Sequence, residues 1–155
     1  MSWGPKGPPT SSRVDIGTSN NVTWIDSFQF DPPGPTGGTY CSPWWAAGVT
    51  ANQWGFTGQN FRMDIKGNKE QAAPLLSLFS PQMIVVDDPT NRILHTNVPE
   101  GVLTGAVTGA TGASGAGLIP GQYIYDFIMF DNSSPAVRVA LMHGWFTVHD
   151  GITGG

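Results

Sequence analysis

Charge is scarce in this chain of 155 residues. Only 12 % of it is Asp, Glu, Lys or Arg, about half the ~25 % of an ordinary domain. Seven basic residues stand against eleven acidic ones, for a net charge of −4. So few cations give no basic surface for a phosphate backbone, and no nucleic-acid partner is expected. Cysteine is almost missing. Cys41 is the single one, so no disulfide can form within the chain. The start, Met1 to Pro9, lacks the basic-then-apolar pattern of a secretory signal. Both features point to synthesis in a cytoplasm. No apolar run approaches the ~20 residues of a membrane helix, and no membrane partner is expected. Ala, Glu, Lys, Leu and Arg are too sparse for a coiled coil. What is plentiful is Gly (21), Pro (13), Trp (6) and aromatic residues in general, at 11 %. With 39 % hydrophobic residues the chain can bury one domain-sized core, and disorder throughout is excluded.

The apolar residues alternate at a period of two. Val22, Trp24, Phe28 and Phe30 share one parity, with Asp26 as the exception, which predicts a strand over 22–30. Phe61, Met63 and Ile65 alternate with Arg62, Asp64 and Lys66, the pattern of a sheet with one wet face. Leu75 to Phe79, Met83 to Asp87 and Arg92 to Thr96 are short β-like runs, the last two separated by the turn Asp88-Pro89-Thr90-Asn91. Residues 122–131 are apolar on both faces, as in a central strand. Residues 136–149 pair back on them, with Gly144 as a bulge or point of close approach. The pattern predicts an all-β chain, an antiparallel β-sandwich of about seven strands. Residues 1–20 read as an extended N-terminal arm and 21–155 as the sandwich domain. Two long loops are inserted in it: an aromatic Pro/Gly loop over 31–55 and a Gly-rich, flexible loop over 101–117.

Chemistry-bearing patterns are few. His143 and His149 share a strand parity but lie about 20 Å apart along it, and His95 sits on another strand, so no metal site is expected. Asp87-Asp88 reads as the start of a turn and not as a Ca²⁺ loop. No nucleophile elbow, catalytic Cys signature or phosphate loop is present, so neither catalytic residues nor a cofactor are expected. The informative residues are aromatic: Trp3 in the arm, and Tyr40, Trp44, Trp45 and Trp54 in the 31–55 loop. Trp and Tyr in loops suit protein interfaces, because they bury much area at little entropic cost. That reading is favoured over a loop folded back to cap the core, with sugar stacking as a third.

Three segments carry a resemblance. They read Phe56-Thr-Gly58-Gln-Asn-Phe61-Arg62-Met63-Asp-Ile65-Lys66, then Leu118-Ile-Pro120-Gly121-Gln-Tyr123-Ile-Tyr125-Asp126-Phe127, then Leu141-Met-His-Gly144-Trp-Phe146-Thr147-Val148-His-Asp-Gly-Ile152-Thr153. In order and spacing, from about residue 55 onward, they resemble small structural proteins of tailed bacteriophages. The resemblance implies an immunoglobulin-like sandwich without catalytic residues. The implied protein is a virion component of the collar, baseplate or tail-fibre-anchor kind. The alternatives are a head-decoration, cement or head-fibre protein, and a carbohydrate-binding module for host surface glycans. The implied partners are other virion proteins and copies of the chain itself in a symmetric assembly. Loops 31–55 and 101–117 are longer than that pattern has, and mark where neighbours would be met.

Overall fold

Alternation becomes strands almost residue for residue. The computed structural model describes residues 12–30, 56, 58–89, 92–130 and 138–151. In chain order it contains β1 (Ser12–Arg13), β2 (Ile16–Ser19), β3 (Ser27–Gln29), β4 (Asn60–Lys66), β5 (Leu76–Phe79), β6 (Ile84–Asp88) and β7 (Ile93–Thr96). A short helix α1 (Glu100–Thr104) then leads to β8 (Ala113–Gly115), β9 (Gly121–Phe130) and β10 (Arg138–His149). The chain is all-β, built from two sheets in a sandwich-like arrangement. The large sheet runs β1–β10–β9–β4–β5–β8, with β2 also on β10, and the small one runs β3–β7–β6. Every pairing is antiparallel except those of β1 and β2, which run parallel to β10.

The inward residues of the two sheets form one core. Phe61, Met63 and Ile65 of β4, Phe127 of β9 and Phe146 of β10 face Ile84 of β6 and Leu94 of β7, all fully buried. Aromatic rings stitch the layers together. Trp24 meets Phe146 edge-on at 5.0 Å, Phe56 meets Phe61 at 4.7 Å, and Phe30 stacks on Phe127 at 6.2 Å. Such pairs contribute roughly 0.5–1.5 kcal/mol each beyond the area they bury. The odd residue in the 22–30 alternation now has a reason. Asp26 shares the parity of Trp24 because its carboxylate accepts the indole N–H at 2.7 Å, while its own amide donates to buried Thr96 Oγ1 at 3.0 Å. A buried indole needs such an acceptor.

Four sequence expectations change. Among the described residues ten strands form where about seven were expected, because β1, β2 and β8 are too short and polar to show an alternation. The strand expected over 22–30 shrinks to Ser27–Gln29, with Trp24 bridging Val98 on its own and Val22 exposed. The second half of the expected arm is an edge strand: 12–13 and 16–19 lie on β10 at one constant offset, Ser12 opposite Met142 and Ser19 opposite His149. Residues 1–11 lie outside the described set, as do 31–55. The Gly-rich 101–117 stretch carries most of α1 and all of β8. Its glycines serve close approach there, not flexibility. A Cβ on Gly105 would meet the Ala116 carbonyl oxygen, and one on Gly117 the Gly105 amide, both at under 2.5 Å, and both residues have positive φ.

Between α1 and β9 the chain turns at Ile119-Pro120-Gly121. The corner is tied by Tyr123 at the start of β9, whose hydroxyl donates to the Ile119 carbonyl at 2.6 Å. Removing that hydroxyl in Tyr123→Phe is expected to lower stability by about 0.5–1.5 kcal/mol, the net worth of one hydrogen bond, without changing the denaturant slope in urea unfolding.

Candidate functional site

The aromatic residues singled out in the sequence, Trp3, Tyr40, Trp44, Trp45 and Trp54, all lie outside the described residues. The feature the described residues do form is a groove of about 600 Å³ on the outward face of the large sheet.

Register builds it. On one rung across the sheet, Lys66 of β4, Ile124 of β9 and Trp145 of β10 stand side by side. On the next rung, Asp126 of β9, His143 of β10 and Arg13 of β1 do the same. Neighbouring strands lie about 4.8 Å apart, so Lys66 and Trp145 are separated by roughly 10 Å with Ile124 between them. Lys69, just past the end of β4, adds a third cation to the lining. Trp145 is 38 % exposed and forms the wall with Ile124.

Local chemistry fixes this arrangement. Edge strand β1–β2 is interrupted opposite Gly144, where the missing Cβ lets Val14 come close. Val14 N–H donates to the His143 carbonyl at 2.8 Å, and Tyr125 O–H donates to the Val14 carbonyl. The Asp15 carboxylate takes over as acceptor for the Trp145 amide at 3.0 Å. That bond, aided by the charges of Arg13 and His143, holds the Asp15 carboxyl below its ordinary value of 3.8, against a smaller opposing effect of desolvation. Asp15 thereby clamps the backbone that carries Trp145, and its 3.4 Å contact with Arg13 sits at the rim.

Charge is distributed unevenly over this face. Arg62 is committed to Asp64 at 2.7 Å and lies 5.3 Å over the Phe79 ring. Asp64 also accepts from Ser77 Oγ at 2.7 Å. Asp64 and Asp126 are direct cross-strand neighbours, a like-charge pairing that costs stability unless cations offset it. Arg62 does so for Asp64. Among the described residues Lys66 and Lys69 make no ion pair.

Among the described residues the groove lining holds no Ser, Thr or Cys. A His–carboxylate pair, His95 Nδ1 with Asp87 at 2.8 Å, lies on the small sheet away from the groove. Among the described residues no three His, Cys, Asp or Glu side chains gather where a metal ion would be held. Sequence reasoning marked Lys66 as a wet-face residue, but did not single out Trp145. The available signal was parity: Phe146 and Val148 point inward, so a Trp at 145 must face out. No family model and no curated protein sequence matches the chain.

Proposed function

We propose that this chain is an immunoglobulin-like sandwich serving as a non-enzymatic structural component of a tailed-phage virion, docking on neighbouring subunits at the tail, collar or baseplate. The observation that carries the reading is where the three motif segments fall. They supply β4, β9 and β10, three adjacent strands at the centre of the large sheet, so the resemblance is one of fold determinants. The strand plan supports the immunoglobulin-like assignment. The N-terminal strand lies parallel on the last strand, a three-stranded sheet packs opposite, and a tyrosine at the start of the penultimate strand bonds back to the corner before it. Low charge suits an assembly component. Trp3, Tyr40, Trp44, Trp45 and Trp54 are the proposed contact residues, on the composition of their loops alone, and other virion proteins and copies of the chain are the proposed partners. The virion is its proposed location, after synthesis in the host cytoplasm.

The test is quantitative mass spectrometry of tailed particles purified from cells that make this chain. A few copies per particle are expected. A ratio near that of the major capsid protein would move it to the head as a decoration protein, and absence from the particles would overturn the virion reading.

A further inference from the structure

The described part of the chain places five Lys and Arg side chains in known surroundings. Arg62 is paired with Asp64, and Arg92 is buried and donates to the Phe30 carbonyl at 2.8 Å. The other three line one groove: Arg13 at its rim in contact with Asp15 at 3.4 Å, and Lys66 and Lys69, which make no ion pair among the described residues. In a chain of net charge −4, long-range attraction of anions is weak, so this concentration is a local feature. Its volume of about 600 Å³ lies within the roughly 300–1,000 Å³ of small-ligand sites.

We infer that this groove binds an acidic sugar, one carboxylated pyranose unit, with its carboxylate at Lys66 and Lys69 and its ring against Ile124 and Trp145. Each part of the lining selects a part of that ligand. Lys66 and Lys69 need an anion, and a carboxylate takes charge-assisted bonds from both. Trp145 and Ile124 would be wasted on a bare inorganic ion but fit the C–H face of a sugar ring. Asp126 sets the limit on charge. It accepts hydrogen bonds from neutral hydroxyls, yet repels a second anionic group, and Asp64 lies next to it on the same rung. A ligand with one negative end and hydroxyls beyond it satisfies both ends. A phosphate chain or an acidic peptide, with anions at every step, does not. The inference is independent of the virion reading, since a sugar site is compatible with any location where glycans are met.

The experiment uses the full chain and three probes with one carboxylate each: methyl α-galacturonide, methyl β-glucuronide and 3′-sialyllactose. The readouts are calorimetry and Trp fluorescence. At least one probe is expected to bind saturably with Kd below about 1 mM, and its neutral counterpart (methyl α-galactoside, methyl β-glucoside, or lactose) about tenfold more weakly. Lys66→Gln and Lys69→Gln should each weaken binding about tenfold, and Trp145→Ala should abolish the fluorescence change, all with the wild-type melting temperature retained. Arg62→Gln removes a cation from the same face outside the groove and should leave affinity unchanged. Failure of all three probes, equal affinity for a neutral counterpart, or an equal loss in Arg62→Gln would overturn the inference. So would binding of a hexaglutamate peptide in place of the sugars, which would give the groove to an acidic protein segment.

Discussion

Phe127→Ala is expected to cost about 3–5 kcal/mol, as large-to-small changes at fully buried aromatic sites do. Phe127 lies in the middle of β9, the strand between β10 and β4, and is fully buried. It stacks on Phe30 at 6.2 Å and meets Phe61 at the same distance. Phe30 and Phe61 each also touch Phe56, at 5.8 and 4.7 Å. Truncation therefore opens a void beside Phe30 and Phe61, both held by Phe56, and neither can swing into it without leaving that partner. Against a total stability of roughly 5–15 kcal/mol, the loss is large enough to unfold a marginal domain at growth temperature. Urea unfolding followed by Trp fluorescence measures it. The neighbouring outward residue is the control. Ile128→Ala, only half-buried, should cost less than half as much, and equal losses would mean that the two faces of β9 are buried alike.

Gly144→Val is expected to strip the N-terminal edge strand from the sheet. Gly144 has φ +155°, a conformation that costs a side-chain-bearing residue about 1–3 kcal/mol by itself. A Cβ there would also lie 2.5 Å from the Val14 carbonyl oxygen and 2.8 Å from Asp15 Oδ1. The first atom is backbone and accepts from Tyr125 O–H, so it has nowhere to go unless the strand moves. Moving it breaks the Val14–His143 bond and removes the Asp15 clamp on the Trp145 amide. Hydrogen exchange should then show loss of protection at residues 12–19 and at Trp145, while β4 and β9 stay protected. Retention of protection at 12–19 would mean that the close approach does not hold the strand. The same variant should distort the groove, because Arg13 arrives on that strand.

The parts legible in the sequence are those where one face is apolar over several residues. Phe61-Met63-Ile65 and Tyr123-Tyr125-Phe127-Met129 announce β4 and β9, and the turn at Asp88-Pro89 announces the β6–β7 hairpin. Residues 12–19 do not announce themselves. An edge strand buries only Ile16 and Thr18, too little for an alternation to stand out, and its partner is 130 residues away. Helix α1 begins at Pro99-Glu100-Gly101 and buries only Val102 and Leu103, so its glycines dominate any reading of it. The strand expected at 22–30 failed in the other direction. Its residues are apolar because Trp24 and Phe30 plug the core from beyond the ladder's ends. The groove was invisible for a different reason. Arg13, Lys66, Asp126 and Trp145 each read as an ordinary outward position, and only the register of β1, β10, β9 and β4 brings them together. Register is a property of pairs of strands, and no single run of residues encodes it.

The parallel pairing of the first strand with the last also decides how the domain bears load. Residue 12 enters level with residue 142 and residue 19 lies level with residue 149, so the chain comes in at one pole of the sheet and leaves at the other, about 23 Å away along β10. A pull between the two exits slides β1–β2 against β10 lengthwise. Every hydrogen bond of that seam is then strained at once, whereas an antiparallel hairpin pulled from its open end yields one bond at a time. Rupture under tension is governed by the rate of crossing such a barrier and not by equilibrium stability. The short, polar edge strand that contributes least to the core is therefore the element that sets the domain's mechanical strength, and Gly144 is the residue that seats it.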